Sequence, residues 1–240
     1  MCEIMDKLSN EKKHEKITVV DVKHLDNYTK SITFSKPKHL EWEAGANGHF
    51  AFKDYDLDGL VDKTLVRHMS FATLPESGQI IINSRVPGSH SIYKQKLNAL
   101  TIGDEMYLYG TKNRMPLIRE NTHIVLISMG IGITSFKTFL DEYKKDSTNI
   151  KSMKSLCVDG HLTYLYKGEY LGTIESTYCH NQKTFYNLLE SLIDTNQSFY
   201  IVGSDQFLID VIKKLRESGI NKNKIYVDKK PNKFNYLGLE

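Results

Sequence analysis

The sequence predicts two successive domains, an N-terminal antiparallel β-barrel and a C-terminal α/β domain with a Rossmann-like parallel sheet. Three observations support this prediction. The chain has 240 residues, which is long for one domain and short for three. Its first half contains short β-branched runs between turn signals, and its second half alternates strands with helices. We expect a flexible N-terminus over residues 1–15, the barrel over 16–118 and the α/β domain over 119–240.

Six short runs in the first half have the composition of strands. They cover residues 16–23, 31–35, 49–52, 65–71, 79–86 and 105–109. Turn signals separate them at residues 45–48, 58–59, 75–78 and 103–104. Several short strands at this spacing are typical of a sandwich or barrel. One helix interrupts the strands at residues 91–100, where apolar side chains recur at helical spacing.

The second half begins with a continuous apolar run at residues 123–129, as expected of a strand that is buried on both faces. Further strands are predicted at residues 162–166, 198–202 and 224–227, and helices at residues 135–143, 184–193 and 205–218. The last helix ends before Gly219, a residue suited to a helix C-terminus. This alternation of strands and helices indicates a parallel, doubly wound sheet.

Composition and charge exclude several classes of protein. Lysine and arginine number 32 against 29 acidic residues, and a net charge of +3 does not indicate a nucleic-acid binder. No apolar run approaches the roughly 20 residues that span a bilayer, and residues 1–16 lack the apolar core of a secretory signal. Cys2, Cys157 and Cys179 follow no metal-binding spacing. We therefore expect a cytoplasmic protein without a metal site.

A glycine turn lies between the apolar strand and the next helix. It consists of Gly130, Ile131, Gly132, Ile133 and Thr134. Two glycines permit a tight turn, and the N–H groups at a helix start attract anions, so this turn suits a pyrophosphate. The alternative is an ordinary strand-to-helix turn in which Thr134 or Ser135 caps the helix. Gly203 and Ser204 also join a strand to a helix, and the ends of parallel strands share one edge of a sheet.

The residues after the second strand bear on the choice of nucleotide. An acidic residue there usually accompanies NAD, whereas a cation accommodates the 2′-phosphate of NADP. With that strand predicted at residues 162–166, the position offers both Lys167 and Glu169. Lys167 favours NADPH slightly, because a 2′-phosphate binds a cation.

Five short segments occur in an order typical of one family. They are residues 45–50 (GANGHF), 67–70 (RHMS), 87–91 (PGSHS), 130–134 (GIGIT) and 203–204 (GS). The second is similar to a flavin motif R-x-Y-S, the third to a G-x-x-S turn before a helix, and the fourth to a nicotinamide motif G-x-G-x-T/A-P. By the order of these segments, residues 16–227 resemble the ferredoxin–NADP reductase-like flavoprotein superfamily, without a fused iron–sulfur domain.

The resemblance implies FAD in the barrel and NADPH or NADH in the α/β domain. In the family, the serine at the position of Ser70 approaches the flavin N5 atom, so Ser70 is the catalytic candidate. The candidate FAD-binding residues are Arg67, His68, Met69, Ser70, Arg85, Gly88, Ser89, His90 and Ser91. The candidate nicotinamide-binding residues are Gly130, Ile131, Gly132, Ile133, Thr134, Gly203 and Ser204.

The chemistry of the barrel residues agrees with this assignment. A guanidinium such as that of Arg67 binds phosphate through two charge-assisted hydrogen bonds, and N–H groups at residues 89–91 would add donors. The alternative is that Arg67 only pairs at the surface with Asp54 or Asp62, and that Ser91 only caps the helix.

The implied activity is hydride transfer from NAD(P)H to FAD and then electron transfer to a protein or small-molecule acceptor. Flavodoxin and ferredoxin are candidate partners. Val202 and Ser204 stand where the family has cysteine and proline, which motivates an alternative: a flavin-binding electron-transfer or regulatory subunit with little NAD(P)H oxidation of its own. A third hypothesis is a dinucleotide-binding sensor without flavin.

The C-terminus combines basic and aromatic residues. Lys229, Lys230 and Lys233 precede Phe234 and Tyr236. In several reductases of this type a C-terminal aromatic ring covers the flavin, so either ring is a candidate for that role. Other hypotheses are that the lysines steer an acidic partner or that the segment is a frayed basic tail.

Overall fold

The computed structural model describes residues 14–57, 60–86, 88–161, 163–170 and 172–239. Within these residues the chain forms two compact units. Unit 1 lies within Met1–Trp42, Asn47–Phe71 and Pro75–Lys112, and unit 2 lies within Glu43–Ala46, Ala72–Leu74 and Asn113–Glu240. The expected flexible N-terminus up to residue 13, the turn at residues 58–59, Cys2, Pro87 and Leu162 lie outside the described residues.

Unit 1 is built on a six-stranded antiparallel sheet. Its strands are β1 (Glu15–His24), β2 (Thr29–Ser35), β3 (Asn47–Ala51), β6 (Val66–Ser70), β7 (Gln79–Arg85) and β8 (Glu105–Lys112), and a small hairpin adds β4 (Asp56–Leu57) and β5 (Leu60–Val61). The strand order is β6-β3-β8-β1-β2-β7, and each neighbouring pair is antiparallel. The antiparallel barrel-type fold predicted for the first half is confirmed.

Large aromatic side chains fill the inner face of this sheet. The ring centroids of Phe34 and Phe50 lie 5.7 Å apart, and those of Phe50 and Phe71 lie 5.9 Å apart. All three side chains are fully buried. Because alternate residues of a strand share a face, this core fixes which side chains of β3 and its neighbours point outwards.

The α-helix that the described residues of unit 1 contain, α1 (Ile92–Ala99), is held at both its inner face and its end. Tyr93 is buried on its inner face. The buried ammonium group of Lys30 donates hydrogen bonds to the carbonyl oxygens of Asn98 and Leu100 where the helix ends. A positive charge is stabilised at a helix C-terminus, so Lys30 stabilises the C-terminal end of α1.

Unit 2 contains a five-stranded parallel sheet with helices. Its strands are β9 (Thr122–Met129), β10 (Ile150–Val158), β11 (Glu175–Cys179), β12 (Gln197–Val202) and β13 (Ile225–Val227), and its helices are α2 (Lys137–Lys145), α3 (Lys167–Tyr170), α4 (Gln182–Leu192) and α5 (Asp205–Glu217). The strand order is β11-β10-β9-β12-β13, with all pairs parallel. Apolar clusters cover both faces. The predicted parallel α/β fold is therefore confirmed.

The prediction of a strand at residues 162–166 is wrong. Tyr164 and Tyr166 have φ angles of 40° and 62°, in the left-handed region that a strand does not use. The sheet instead contains β10 and β11, which the sequence pattern did not reveal, because lysines and serines interrupt the apolar residues of β10. The second strand of unit 2 thus ends at Val158 and is followed by Asp159.

None of the helices in the described ranges combines the length and the apolarity that crossing a membrane requires.

Candidate functional site

Arg67 is oriented on the edge strand β6 of unit 1. Its Nη1 donates hydrogen bonds to the carbonyl oxygens of Lys63 (2.8 Å) and Val66 (2.7 Å). Its guanidinium carbon lies 5.5 Å from the centroid of the Tyr93 ring, a cation–π contact. The side chain remains exposed, so the protein positions this cation while leaving it accessible to an anion.

Asp54 and Asp62, the two candidate surface partners of Arg67, interact with other groups. Asp54 pairs with Lys96 at 3.3 Å. Asp62 accepts a hydrogen bond of 2.7 Å from the N–H of Thr64. No carboxylate among the described residues is within ion-pair distance of Arg67, so the surface-pair alternative is wrong for Asp54 and Asp62.

Tyr93 of α1 connects Arg67 with Met69. The Tyr93 side chain is 1% exposed, and its hydroxyl donates a hydrogen bond to the Met69 sulfur at 3.5 Å. Burial raises the pKa of Tyr93 well above its ordinary value, and Arg67 partly opposes this rise. Arg67 and Met69 lie two residues apart on β6 and share a face. These three side chains therefore form one contiguous group, which we call the Tyr93 cluster.

The remaining strand candidates of unit 1 are His68 and Ser70 on β6 and Arg85 on β7. His68 is on the opposite face of β6, where its ring centroid lies 5.0 Å from that of His49. Ser70 is half-buried at the end of β6, and Arg85 is half-buried at the end of β7. The structure therefore brings Arg67 and Met69 together and places His68 on the other side of the strand.

The turn before α1 has the form of an anion-binding site. Gly88 has a φ angle of 72°, a conformation that favours glycine. Ser91 occupies the N-cap position, but its side chain makes no capping hydrogen bond, and its N–H donates to the Ser89 hydroxyl at 3.3 Å. The exposed residue His90 lies between them. The helix start is thus uncapped by Ser91, contrary to the simple capping role. The N–H groups of Ser89 and Ser91 already donate to the Val86 carbonyl oxygen and the Ser89 hydroxyl, so donors for an anion would come from the first turn of α1.

The glycine turn of unit 2 follows β9 and packs against β12. Gly130 has a φ angle of 56°, and Gly130–Phe136 form a 3₁₀ turn before α2. A Cβ atom at Gly132 would lie 3.0 Å from the carbonyl oxygen of Val202. Position 130 therefore requires glycine to form the turn, and position 132 requires glycine so that the turn can pack close to β12. Ile131 and Ile133 pack into the apolar cluster of this face.

Two buried hydroxyl groups lie at this turn, one just before it and one within it. Ser128 lies near the end of β9 and Thr134, 4% exposed, lies within the turn, and neither hydroxyl has a hydrogen-bond partner among the described residues. The N-cap residue of α2 is Phe136, so neither Thr134 nor Ser135 has the expected capping role. A buried hydroxyl without a partner costs free energy, so these groups suit a polar ligand.

The second turn lies beside the first, because β9 and β12 are neighbours in the sheet. A Cβ atom at Gly203 would lie 2.4 Å from the ring of Phe207 and 3.2 Å from the Met129 Cβ. Ser204 caps α5, since its hydroxyl accepts the N–H of Phe207 at 3.3 Å. The two glycine turns that the sequence separates by some seventy positions thus meet at one edge of the sheet.

Asp159 is the acidic residue at the end of the second strand. Its side chain accepts hydrogen bonds from the N–H of His161 (3.0 Å) and the hydroxyl of Thr163 (2.7 Å). With 4% exposure, the carboxylate is held in a fixed orientation beside the loop that follows β10. The sequence pattern missed Asp159 because it missed β10.

The two residues that the sequence placed at this position have other partners. Glu169 pairs with Lys137 at 3.0 Å. The ammonium group of Lys167 lies 5.5 Å from the Tyr164 ring centroid. Both belong to α3, beyond the strand end, so the expectation that they follow the second strand is wrong.

The C-terminal segment packs onto unit 2. Leu237 and Leu239 are buried in the apolar cluster of α4 and α5, and Phe234 packs against the same cluster. The frayed-tail hypothesis is therefore wrong. Tyr236 is 61% exposed, and the ammonium group of Lys233 lies 5.6 Å from its ring centroid.

The described cysteines are buried thiols. Cys157 and Cys179 form no disulfide, and burial raises the pKa of Cys179 to about 11. Within the described part of the chain, no group of three or more His, Cys, Asp or Glu side chains is arranged to hold a metal ion.

Comparison with known proteins identifies the fold. Neither family models nor curated protein sequences give a match to this chain. Solved structures do give matches to this chain. The cytochrome b5 reductase domain of Ulva prolifera nitrate reductase matches with a TM-score of 0.73 at 14% identity, covering 90% of this chain and 97% of that one.

Two further structures show the same architecture. A ferredoxin NADP+ reductase from Neisseria gonorrhoeae, with bound FAD and NADP, gives a TM-score of 0.73 at 14% identity and covers 91% of this chain and 99% of that one. The CS-b5R domains of human Ncb5or, in an NAD+ form, give 0.75 at 14% identity and cover 93% and 71%. The two-part fold that the resemblance implied, an antiparallel barrel-type sheet followed by a parallel α/β sheet, is therefore confirmed.

Proposed function

We propose that this chain is a flavin-dependent oxidoreductase that takes a hydride from NAD(P)H and passes electrons to a protein or small-molecule acceptor. One observation carries the proposal: each unit has a turn at the start of a helix, where N–H groups would bind the phosphates of a dinucleotide. In unit 1 it is the uncapped start of α1, with Arg67 nearby in the Tyr93 cluster. In unit 2 it is Gly130–Phe136 beside Gly203. The solved structures that share this fold include a reductase with bound FAD and NADP.

The residues of unit 1 fit FAD. Arg67 would bind a phosphate by charge-assisted hydrogen bonds, and the N–H groups at the start of α1 would add donors. Met69 is apolar and polarisable, and would pack against a flat ring. Ser70 would orient the reacting edge of that ring. A bound flavin supplies the redox chemistry, and the residues of this chain bind it, orient it and exclude competing reactions.

The residues of unit 2 fit a nicotinamide nucleotide. Gly130 permits the tight turn at which a pyrophosphate would bind, Gly132 lets that turn pack against β12, and the buried hydroxyls of Ser128 and Thr134 would gain partners. Ser204, exposed at the start of α5, offers one more donor. An observation favours the alternative of a flavin-binding subunit with little NAD(P)H oxidation: the apolar side chains of Met129 and Val202 lie at this edge of the sheet.

The visible spectrum of the purified, FAD-loaded protein tests the proposal. We expect flavin absorption that bleaches under anaerobic NADH or NADPH, and turnover with an artificial acceptor on the order of 1–10³ per second. A flavin spectrum that neither nucleotide changes would reject the reductase and leave the electron-transfer subunit. A protein that cannot be loaded with FAD would reject both and favour the flavin-free sensor.

We further infer that the enzyme prefers NADH, because Asp159 directly follows the second strand, where an acidic residue usually accompanies NAD. A carboxylate held at that place repels a phosphate and accepts a ribose hydroxyl. Asp159→Asn removes the charge and keeps the shape. We expect it to raise the ratio of NADPH to NADH specificity roughly tenfold, equivalent to about 1.4 kcal/mol, measured from kcat/KM for both nucleotides.

Glu169→Gln is the matched control for Asp159→Asn. It removes an acidic charge nearby in sequence that Lys137 already neutralises. We expect this control to leave the NADPH to NADH ratio unchanged. An equal change in both variants would mean that net charge, rather than the position of Asp159, sets the preference.

A further inference from the structure

An exposed methionine lies between the two glycine turns of unit 2. Met129 is the last residue of β9 and is 41% exposed, although residues 124–128 of the same strand are all buried. Apolar side chains left in water forfeit the free energy of burial. The position of Met129, at the edge of a parallel sheet where ligands bind, suggests a role in ligand access.

The Met129 side chain spans the gap between the turns. The hydroxyl of Ser204 donates a hydrogen bond to its sulfur at 3.8 Å. On the strands themselves, Ser128 of β9 is the register partner of Val202 of β12, so Met129 and Gly203 follow at the same level. A Cβ atom at Gly203 would lie 3.2 Å from the Met129 Cβ and 2.4 Å from the Phe207 ring, so the glycine lets both side chains pack against this turn.

We propose that Met129 gates the nicotinamide crevice: its side chain occupies the space between Gly130 and Ser204, and a dinucleotide binds only after displacing it. This inference rests on the proposed function. A thioether is a weak hydrogen-bond acceptor, so the Ser204 hydroxyl gains a stronger partner when a phosphate or amide oxygen replaces the sulfur. Methionine has three rotatable side-chain bonds, which lets the gate open without backbone movement.

The gate lowers nucleotide affinity by the free energy of displacing the side chain. When the binding-competent state is only a fraction of the population, the apparent dissociation constant rises by the inverse of that fraction. Truncation of the Met129 side chain at Cβ removes the free energy of displacing it. A side chain of similar bulk without the sulfur keeps most of it.

Equilibrium titration of the full, FAD-loaded chain with NAD+ and with NADP+ tests the gate. We expect Met129→Ala to bind the preferred nucleotide roughly three- to tenfold more tightly than the unmodified chain. Met129→Leu, the control of matched bulk, should stay within about twofold of the unmodified chain. Because Met129 is exposed, both variants should keep the melting temperature, which circular dichroism checks.

A second measurement observes the side chain itself. In a chain labelled with ¹³C on its methionine methyl groups, the Met129 signal is the one that Met129→Leu lacks. We expect NAD+ to shift this signal and to leave that of Met153, buried in the core under the sheet, nearly unchanged. A Met129 signal that saturating NAD+ does not move would overturn the gate.

The outcomes separate the gate from the proposed function. If the unmodified chain binds nucleotide and Met129→Ala binds it no more tightly, the gate is wrong and the reductase proposal stands. If neither chain binds nucleotide, both proposals fail. Binding by Met129→Ala alone supports a gate that is closed in the unmodified chain, and explains the low NAD(P)H oxidation of the alternative subunit.

Discussion

Arg67→Ala is expected to weaken FAD binding roughly 10- to 100-fold, because hydrogen bonds to charged groups contribute about 1.5–3 kcal/mol. The expectation depends on the orientation of the guanidinium, which is held by the carbonyls of Lys63 and Val66 and by the Tyr93 ring. Fluorescence titration of the apoprotein with FAD measures the dissociation constant. The exposed position of Arg67 means that the variant should fold.

Two control variants separate the shape of the Arg67 side chain from its charge. Arg67→Lys keeps the charge and loses the planar fork, so its FAD affinity should fall between those of the unmodified chain and Arg67→Ala. Lys96→Ala removes a nearby cation that Asp54 already binds at 3.3 Å, and should leave the affinity unchanged. An Arg67→Ala affinity within about twofold of the original would remove Arg67 from the FAD site.

Gly45→Ala is expected to destabilise unit 2 by about 2–5 kcal/mol, through strain and overpacking. Gly45 has a φ angle of 89°, and a Cβ atom there would lie 2.5 Å from the Met115 carbonyl oxygen and 2.6 Å from the Phe139 ring. Its N–H also donates to the Thr138 hydroxyl at 3.0 Å. The melting temperature should fall by about 4–20 °C, since 1 kcal/mol corresponds to roughly 2–4 °C in a chain of this size.

Gly78→Ala isolates the backbone contribution to this loss. Gly78 has a φ angle of 70°, yet nothing lies within 4 Å of the position of its Cβ. Its cost should be limited to the strain of a left-handed residue, about 1–2 kcal/mol. Equal shifts in the two variants would show that the contacts of Gly45 with Met115 and Phe139 carry no penalty.

Local patterns predicted most of the secondary structure because each depends on neighbours in the chain. The apolar run of β9 is buried on both faces, and α5 ends just before Gly219, as expected. The pattern failed at residues 162–166, where Tyr164 and Tyr166 adopt left-handed backbone, and at β10, whose polar residues hid the strand. The role of Asp159 was missed as well, because Asp159 directly follows β10.

The sequence by itself determined the two-part fold, the glycine turns and the chemical type of the residues at both candidate sites, since these follow from periodicity, turn chemistry and charge. Tertiary structure decided which of these residues meet. Tyr93 joins Arg67 to Met69 because α1 packs onto β6, and Met129 reaches Ser204 because β12 pairs with β9. Such contacts join residues far apart in the chain, and their geometry is set by the packing of whole strands and helices rather than by any local pattern.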